Sequence, residues 1–264
     1  MLADALGNSP NAQVLVQMAE QELGHSLTWK HYTGKDAAPA RLKVWFYYLL
    51  ARVLGVTFAI KLMEKRENAA IRNYRELSGQ IVDIESIIAD EERHEMEIIG
   101  LLNEERLKYV GSIVLGLNDA LVEFTGSLAG FTFALQDTRV IAAVGSIMGV
   151  AAALSMAASE YLSQKSDHSG KEPGKAALYT GVAYILTVLI LVMPFLILEN
   201  PFIALIVTLL LAIGIIVCFT FYTSVAEDLP FFKRFLEMAA LSLGIAGISF
   251  LIGLLIRGLF HVDV

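Results

Sequence analysis

Ten side chains carry the chemistry legible in this chain. Four form two Glu-x-x-His pairs, Glu22 with His25 and Glu91 with His94. Three residues make just under one helical turn, so the members of each pair share a helix face. Between them lies an acidic pair of the same spacing, Glu64 and Glu67. Imidazole nitrogen together with carboxylate oxygen suits iron or manganese, and a bridging carboxylate lets two metals share one site. The other four residues are Asp119, Glu123, Met156 and Glu160. Both Asp119/Glu123 and Met156/Glu160 have i,i+4 spacing, which stacks each pair on one helix face. Carboxylates suit hard divalent ions and a thioether moves the preference toward later metals, so the mixture fits Fe(II) or Mn(II) better than Mg(II) or Ca(II).

The elements that must position these residues differ in character. Residues 1–108 hold 29 of the 47 charged side chains, and the remaining 156 residues hold 18. The first part therefore reads as a soluble domain and the second, 109–264, as a membrane domain. A net charge of −7 offers no basic surface for nucleic acid. The single cysteine, Cys218, lies in an apolar run and excludes a disulfide framework or a zinc–cysteine site. The opening residues MLADALGNSPN lack the basic and apolar regions of a signal peptide, which predicts a cytoplasmic N-terminus.

Five spans are expected from Val110 onward, over approximately 110–135, 140–161, 176–198, 202–224 and 236–260. Each is near or above the roughly 20 residues that cross about 30 Å of hydrocarbon. The short joins make spans 1–2 and 3–4 helical hairpins. Lys165, Lys171, Lys175, Lys233 and Arg234 would lie inside, and Arg139 and Arg257 outside, which follows the positive-inside rule with the C-terminus outside. Asp119, Glu123 and Glu160 then fall within spans. A central charge there costs roughly 2.5–3.5 kcal/mol and marks an ion or proton path. Glu160 stands near a span end, from which it could also snorkel to the interface. Gly126-x-x-x-Gly130 and Gly145-x-x-x-Gly149 have the spacing of close helix packing.

In the first part, helices are expected over 12–32, 41–77 and about 80–107, carrying the first Glu-x-x-His, the Glu-x-x-Glu and the second Glu-x-x-His pairs. Residues 44–60, VWFYYLLARVLGVTFAI, can be read as a sixth span or as an interfacial segment. Arg52 would sit near the bilayer centre of a span, and a sixth span would reverse the orientation. The interfacial reading places Trp45, Tyr47 and Tyr48 at headgroup level.

Two family resemblances rest on these residues. GLNDALVEFTGSLAGFTFAL (116–135) and SMAASEYLSQKS (155–166) resemble the first two spans of the vacuolar iron transporter family, over about 110–260. The resemblance implies a homodimer of five-span subunits that moves Fe(II) or Mn(II) out of the cytoplasm in exchange for protons, with Asp119, Glu123, Met156 and Glu160 on the path. Eukaryotic members carry a helical metal-binding insert between spans 2 and 3, for which Ser163 to Lys175 is too short. Residues 12–108 resemble the ferritin-like, rubrerythrin-type domain found in front of some prokaryotic iron transporters. That resemblance implies iron, or manganese, held by Glu22, His25, Glu67, Glu91 and His94, with Glu64 as a further candidate. Such domains have four helices, and most of the first is missing here. Either the start lies upstream, or a partner subunit completes the bundle, or the domain binds metal poorly.

The expected whole is an all-α, five-span bundle in a prokaryotic inner or plasma membrane, contacting lipid, behind a cytoplasmic ferritin-like domain. It exports divalent metal and collects or senses iron, with at most weak ferroxidase activity. Two rivals are a membrane-anchored di-iron oxidase or peroxidase, and an iron sensor without transport.

Overall fold

The computed structural model describes residues 10–35, 40–56, 58–63, 74, 84–101, 108–167, 170–227 and 229–260. Among these there is no strand. The chain divides into two compact units, Met1–Leu107 and Lys108–Val264.

In the first unit, α1 runs Pro10–Thr33, α2 Arg41–Leu54 and α3 Ile84–Leu101, with α1 packed on α3. Phe58, Ala59, Ile60, Ile84 and Ile87 are buried, which removes their apolar surface from water at about 25 cal/mol per Å². The helix expected over 41–77 is interrupted at Gly55, which takes φ 103°, a conformation open to glycine and strained for other residues. At 14 residues α2 is about 21 Å long, short of a span. Tyr47 and Tyr48 are half-buried while Trp45 is exposed. Tyr47, two residues on from Trp45, faces the other side of the helix, whereas Tyr48, three residues on, lies beside it.

In the second unit, the four helices long and apolar enough to cross a membrane are α6 (Thr138–Ser166), α7 (Pro173–Ile197), α8 (Pro201–Ala226) and α9, which runs Phe231–Phe260. Their starts follow local chemistry. Asp137 caps α6 by accepting hydrogen bonds from the backbone N–H groups of Arg139 and Val140. Asn200 caps α8 in the same way, and Pro201 occupies the first turn, where a missing N–H costs nothing. The tight join before α6 is made by Gln136, which takes the left-handed φ of 53°.

The remaining expected span, 110–135, is a run of helical backbone in three pieces: α4 (Val110–Asp119), a π turn (Ala120–Phe124) and α5, spanning Thr125–Leu135. No single regular helix of span length covers it. A π turn inside an α-helix is uncommon and often falls at functional sites. Here it begins directly after Asp119 and contains Glu123.

The small-residue pairs serve different neighbours from those their proximity in sequence suggests. Gly126 and Gly130 face Ile245 and Ser249 on α9, and Gly149 faces Val188 on α7. A Cβ built at Gly253 would lie 2.5 Å from the Gly130 carbonyl oxygen, so α5 and α9 meet backbone to backbone. Gly253→Ala should therefore lower the thermal midpoint, with an overpacking cost of about 1–3 kcal/mol. Gly247→Ala, on the same helix with open space around it, should leave the midpoint unchanged or raise it. Unfolding followed by circular dichroism in detergent checks the pair; equal midpoints would contradict the close α5–α9 contact.

Candidate metal-binding sites

The first site joins α1 to α3. Glu22, His25 and Glu91 each offer one ligand atom, and these atoms lie within 4.8 Å of one another. The His25 Nδ1 atom is 3.4 Å from a Glu91 oxygen and 3.8 Å from a Glu22 oxygen. The other ring nitrogen, Nε2, is 3.2 Å from Asp90 Oδ2, and Asp90 is held on its far side by Arg93 at 2.6 Å. If Nε2 carries the proton and donates to Asp90, the Nδ1 lone pair faces the two glutamates. A carboxylate behind a ligating histidine sets its tautomer and raises its basicity.

His25 and Glu91 are buried while Glu22 is exposed, so the cluster opens to water on one side. Burial and the Glu22 charge push the Glu91 carboxyl above its usual value, against the pull of His25. Burial also acts to raise Asp90, but the His25 hydrogen bond and the Arg93 charge outweigh it and hold Asp90 below its usual value. One nitrogen and two carboxylate oxygens fit an Fe(II)- or Mn(II)-type ion. Glu64 and Glu67 lie outside the described residues. His94 lies on α3, and its side chain is likewise outside the described set. Asp90 carried no signal in the sequence, because no spacing links it to His25, 65 residues away.

The second set lies in the unit 108–264. Glu160 is 6% exposed and accepts hydrogen bonds from the Ser112 hydroxyl at 2.7 Å and the Gln164 side-chain amide at 3.1 Å. Both donors are neutral, so the carboxylate is solvated by dipoles rather than by a countercharge. Ser112 belongs to α4, and its own carbonyl accepts from the buried Thr180 hydroxyl of α7 at 2.9 Å. Gly116 makes this possible, because a Cβ there would strike the Thr180 carbonyl.

Further along, the Asp119 and Glu123 carboxyls stand close enough to act on each other electrostatically. Two carboxylates so placed repel unless a cation or a proton lies between them. The hydroxyl of the fully buried Tyr184 on α7 donates to Glu123 at 3.4 Å. The amide oxygen of Asn118 and the hydroxyl of Thr125 are buried beside this pair with no hydrogen-bond partner among the described residues. The π turn is pinned from α9, where the buried Ser242 hydroxyl donates to the Leu121 carbonyl at 2.8 Å.

Among the described residues Asp119, Glu123 and Glu160 do not converge on one point within a single chain. Glu160 is level with Ser112, seven residues before Asp119, hence about 10 Å away along the axis at 1.5 Å per residue. Met156 packs against the apolar core one helical turn from Glu160. The four residues thus form a ladder along α4, the π turn and α6. Tyr184, Ser112, Gln164 and Ser242 carry no motif of their own; the only prior signal for them was a polar side chain in an apolar helix.

Three outcomes are expected. Asp90→Asn should weaken Co(II) binding by about 10- to 100-fold, as loss of an outer carboxylate does, while His25→Gln should weaken it further. Titration followed by the visible Co(II) spectrum checks this. Because Glu91 holds its proton to a higher pH than an ordinary glutamate, Co(II) affinity should begin to fall on acidification at a higher pH than an ordinary carboxylate site would show. Glu91→Gln should flatten that dependence. Ser242→Ala should cost about 0.5–1.5 kcal/mol by removing the hydroxyl bond to the Leu121 carbonyl, read as a lower thermal midpoint.

No curated protein matches the chain. Residues 110–172 match the model of the VIT family, and that segment contains Asp119, Glu123, Met156 and Glu160 together with the Ser112 and Gln164 that hold Glu160.

Proposed function

We propose that the protein is an integral-membrane transporter that exports Fe(II), or Mn(II), from the cytoplasm in exchange for protons. The observation that carries the reading is the family match over 110–172, which falls on the segment where the buried Glu160 is held by neutral donors and the exposed Glu123 accepts from Tyr184. In this reading α4, the π turn and α5 together make the first of five spans: 26 consecutive helical residues reach about 39 Å. The lysines of the α6–α7 connection then face the cytoplasm with the N-terminus, and the C-terminus lies outside.

The ladder supports a stepwise path. Glu160 offers a carboxylate nearest the cytoplasmic end, Met156 a soft thioether one turn deeper, and Asp119 with Glu123 a paired oxygen site beyond. Divalent metal and proton compete for the same carboxylates, which is what exchange requires. A second copy across a two-fold axis would double the ligands at each level.

The first unit is read as a ferritin-like domain, and Glu22, His25 and Glu91 as its metal-collecting or sensing residues. The same cluster is the one feature that favours the rival, a membrane-anchored di-iron oxidase or peroxidase. Fe(II) uptake into proteoliposomes separates the two. Wild type should accumulate metal when the vesicle lumen is more acidic than the outside, so that protons leave as metal enters; Asp119→Ala should reduce uptake at least about tenfold by losing a ligand of the path, and Glu91→Gln should leave a measurable flux. Equal uptake by wild type and Asp119→Ala defeats the transport reading. Oxygen consumption on adding Fe(II), without uptake, would establish the rival.

A further inference from the structure

The helix α2 is built in the reverse of the usual sense. Its inner side is lined by the buried Ala51 and the half-buried Tyr47, Tyr48, Leu50 and Leu54. At 100° per residue, Leu42, Trp45, Phe46, Leu49 and Val53 fall together on one outward stripe. All five are exposed, Leu42 at 83% and Trp45 at 59%. A water-soluble unit ordinarily turns such a stripe inward, and a contiguous exposed apolar face marks a surface that something covers.

Charge says what covers it. The helix carries Arg41, Lys43 and Arg52 and no acidic residue, in a chain whose net charge is −7. Arg41 and Arg52 flank the stripe on one side and Lys43 on the other, by the same angular reckoning. Cations bracketing an apolar stripe with a tryptophan among its members is the pattern of a helix that lies in a lipid–water interface. At about 21 Å the helix is too short to cross, and Gly55 ends it with a positive φ. Among the described residues, four helices are long and apolar enough to cross a membrane, which would bring a bilayer within reach.

We infer that α2 is an in-plane membrane helix, its Leu42–Trp45–Phe46–Leu49–Val53 stripe sunk among acyl chains and its cations on anionic headgroups. The inference rests on the membrane-embedded part of the proposed function and is independent of transport.

The chain has two tryptophans, Trp29 and Trp45, so Trp29→Phe leaves Trp45 as the sole reporter. The full-length variant is reconstituted into phosphatidylcholine vesicles with and without phosphatidylglycerol, and flotation confirms insertion. Trp45 emission should be blue-shifted in the anionic vesicles. Lipids brominated near the headgroup should quench it about twofold more than lipids brominated at the chain end, as for a residue at the acyl boundary. Replacing Arg41, Lys43 and Arg52 by glutamine should reduce that quenching by about half or more, as should high salt, since attraction to anionic lipid is screened. Water-like emission insensitive to brominated lipid would overturn the inference. Blue-shifted emission without lipid quenching would also overturn it, assigning the stripe to a protein surface such as a second copy. Strongest quenching from the chain end would replace the in-plane helix with a membrane-inserted one. Failure in any of these ways leaves metal uptake by the same vesicles unaffected, so the two readings fail separately.

Discussion

A carboxylate among apolar helices has to be solvated by the protein itself, and the hydrogen bond from Ser112 to Glu160 is where this constraint organises the second unit. It ties α4 to α6. Through the Thr180 bond to the Ser112 carbonyl it also ties α4 to α7, and Gly116 lets the two backbones come close enough for that bond. Three helices are thus fixed at one level by one buried acid. Each of these partners is neutral, so no lysine or arginine among them neutralises the carboxylate.

The π turn extends the same logic. A regular helix would carry Asp119 and Glu123 onward with unbroken backbone bonding. The π turn instead begins between them, and the backbone is held from outside by Ser242 and the acid from outside by Tyr184. The acidic pair is therefore positioned by α7 and α9 as much as by its own helix. Close helix approach at Gly130 and Gly253 keeps α9 where Ser242 can reach.

The first unit uses water differently. Glu22 is exposed, His25 and Glu91 are not, and Asp90 with Arg93 holds the far side of the imidazole. The cluster is open to water on one side and held by Asp90 on the other. The α2 stripe, apolar outward and cationic at its flanks, belongs to the same unit and suits a domain that works at a membrane surface.

Sequence by itself determined the periodic and compositional features: the charge split near residue 108, the long apolar helices, the turns at Gln136–Asp137 and Asn200–Pro201, and the pairing of residues three or four apart on one face. These follow from local propensity and from spacing, which need no knowledge of what lies opposite. Tertiary structure alone decided which faces meet. It placed His25 against Asp90 and Glu91, gave Glu160 its Ser112, set Tyr184 beside Glu123, and sent Gly126 and Gly130 to α9. It also broke the first apolar segment with a π turn and ended α2 at Gly55. Contacts between residues tens of positions apart depend on the rotation and approach of whole helices. Those are settled by the sum of packing and buried hydrogen bonds, which no single stretch of the chain contains.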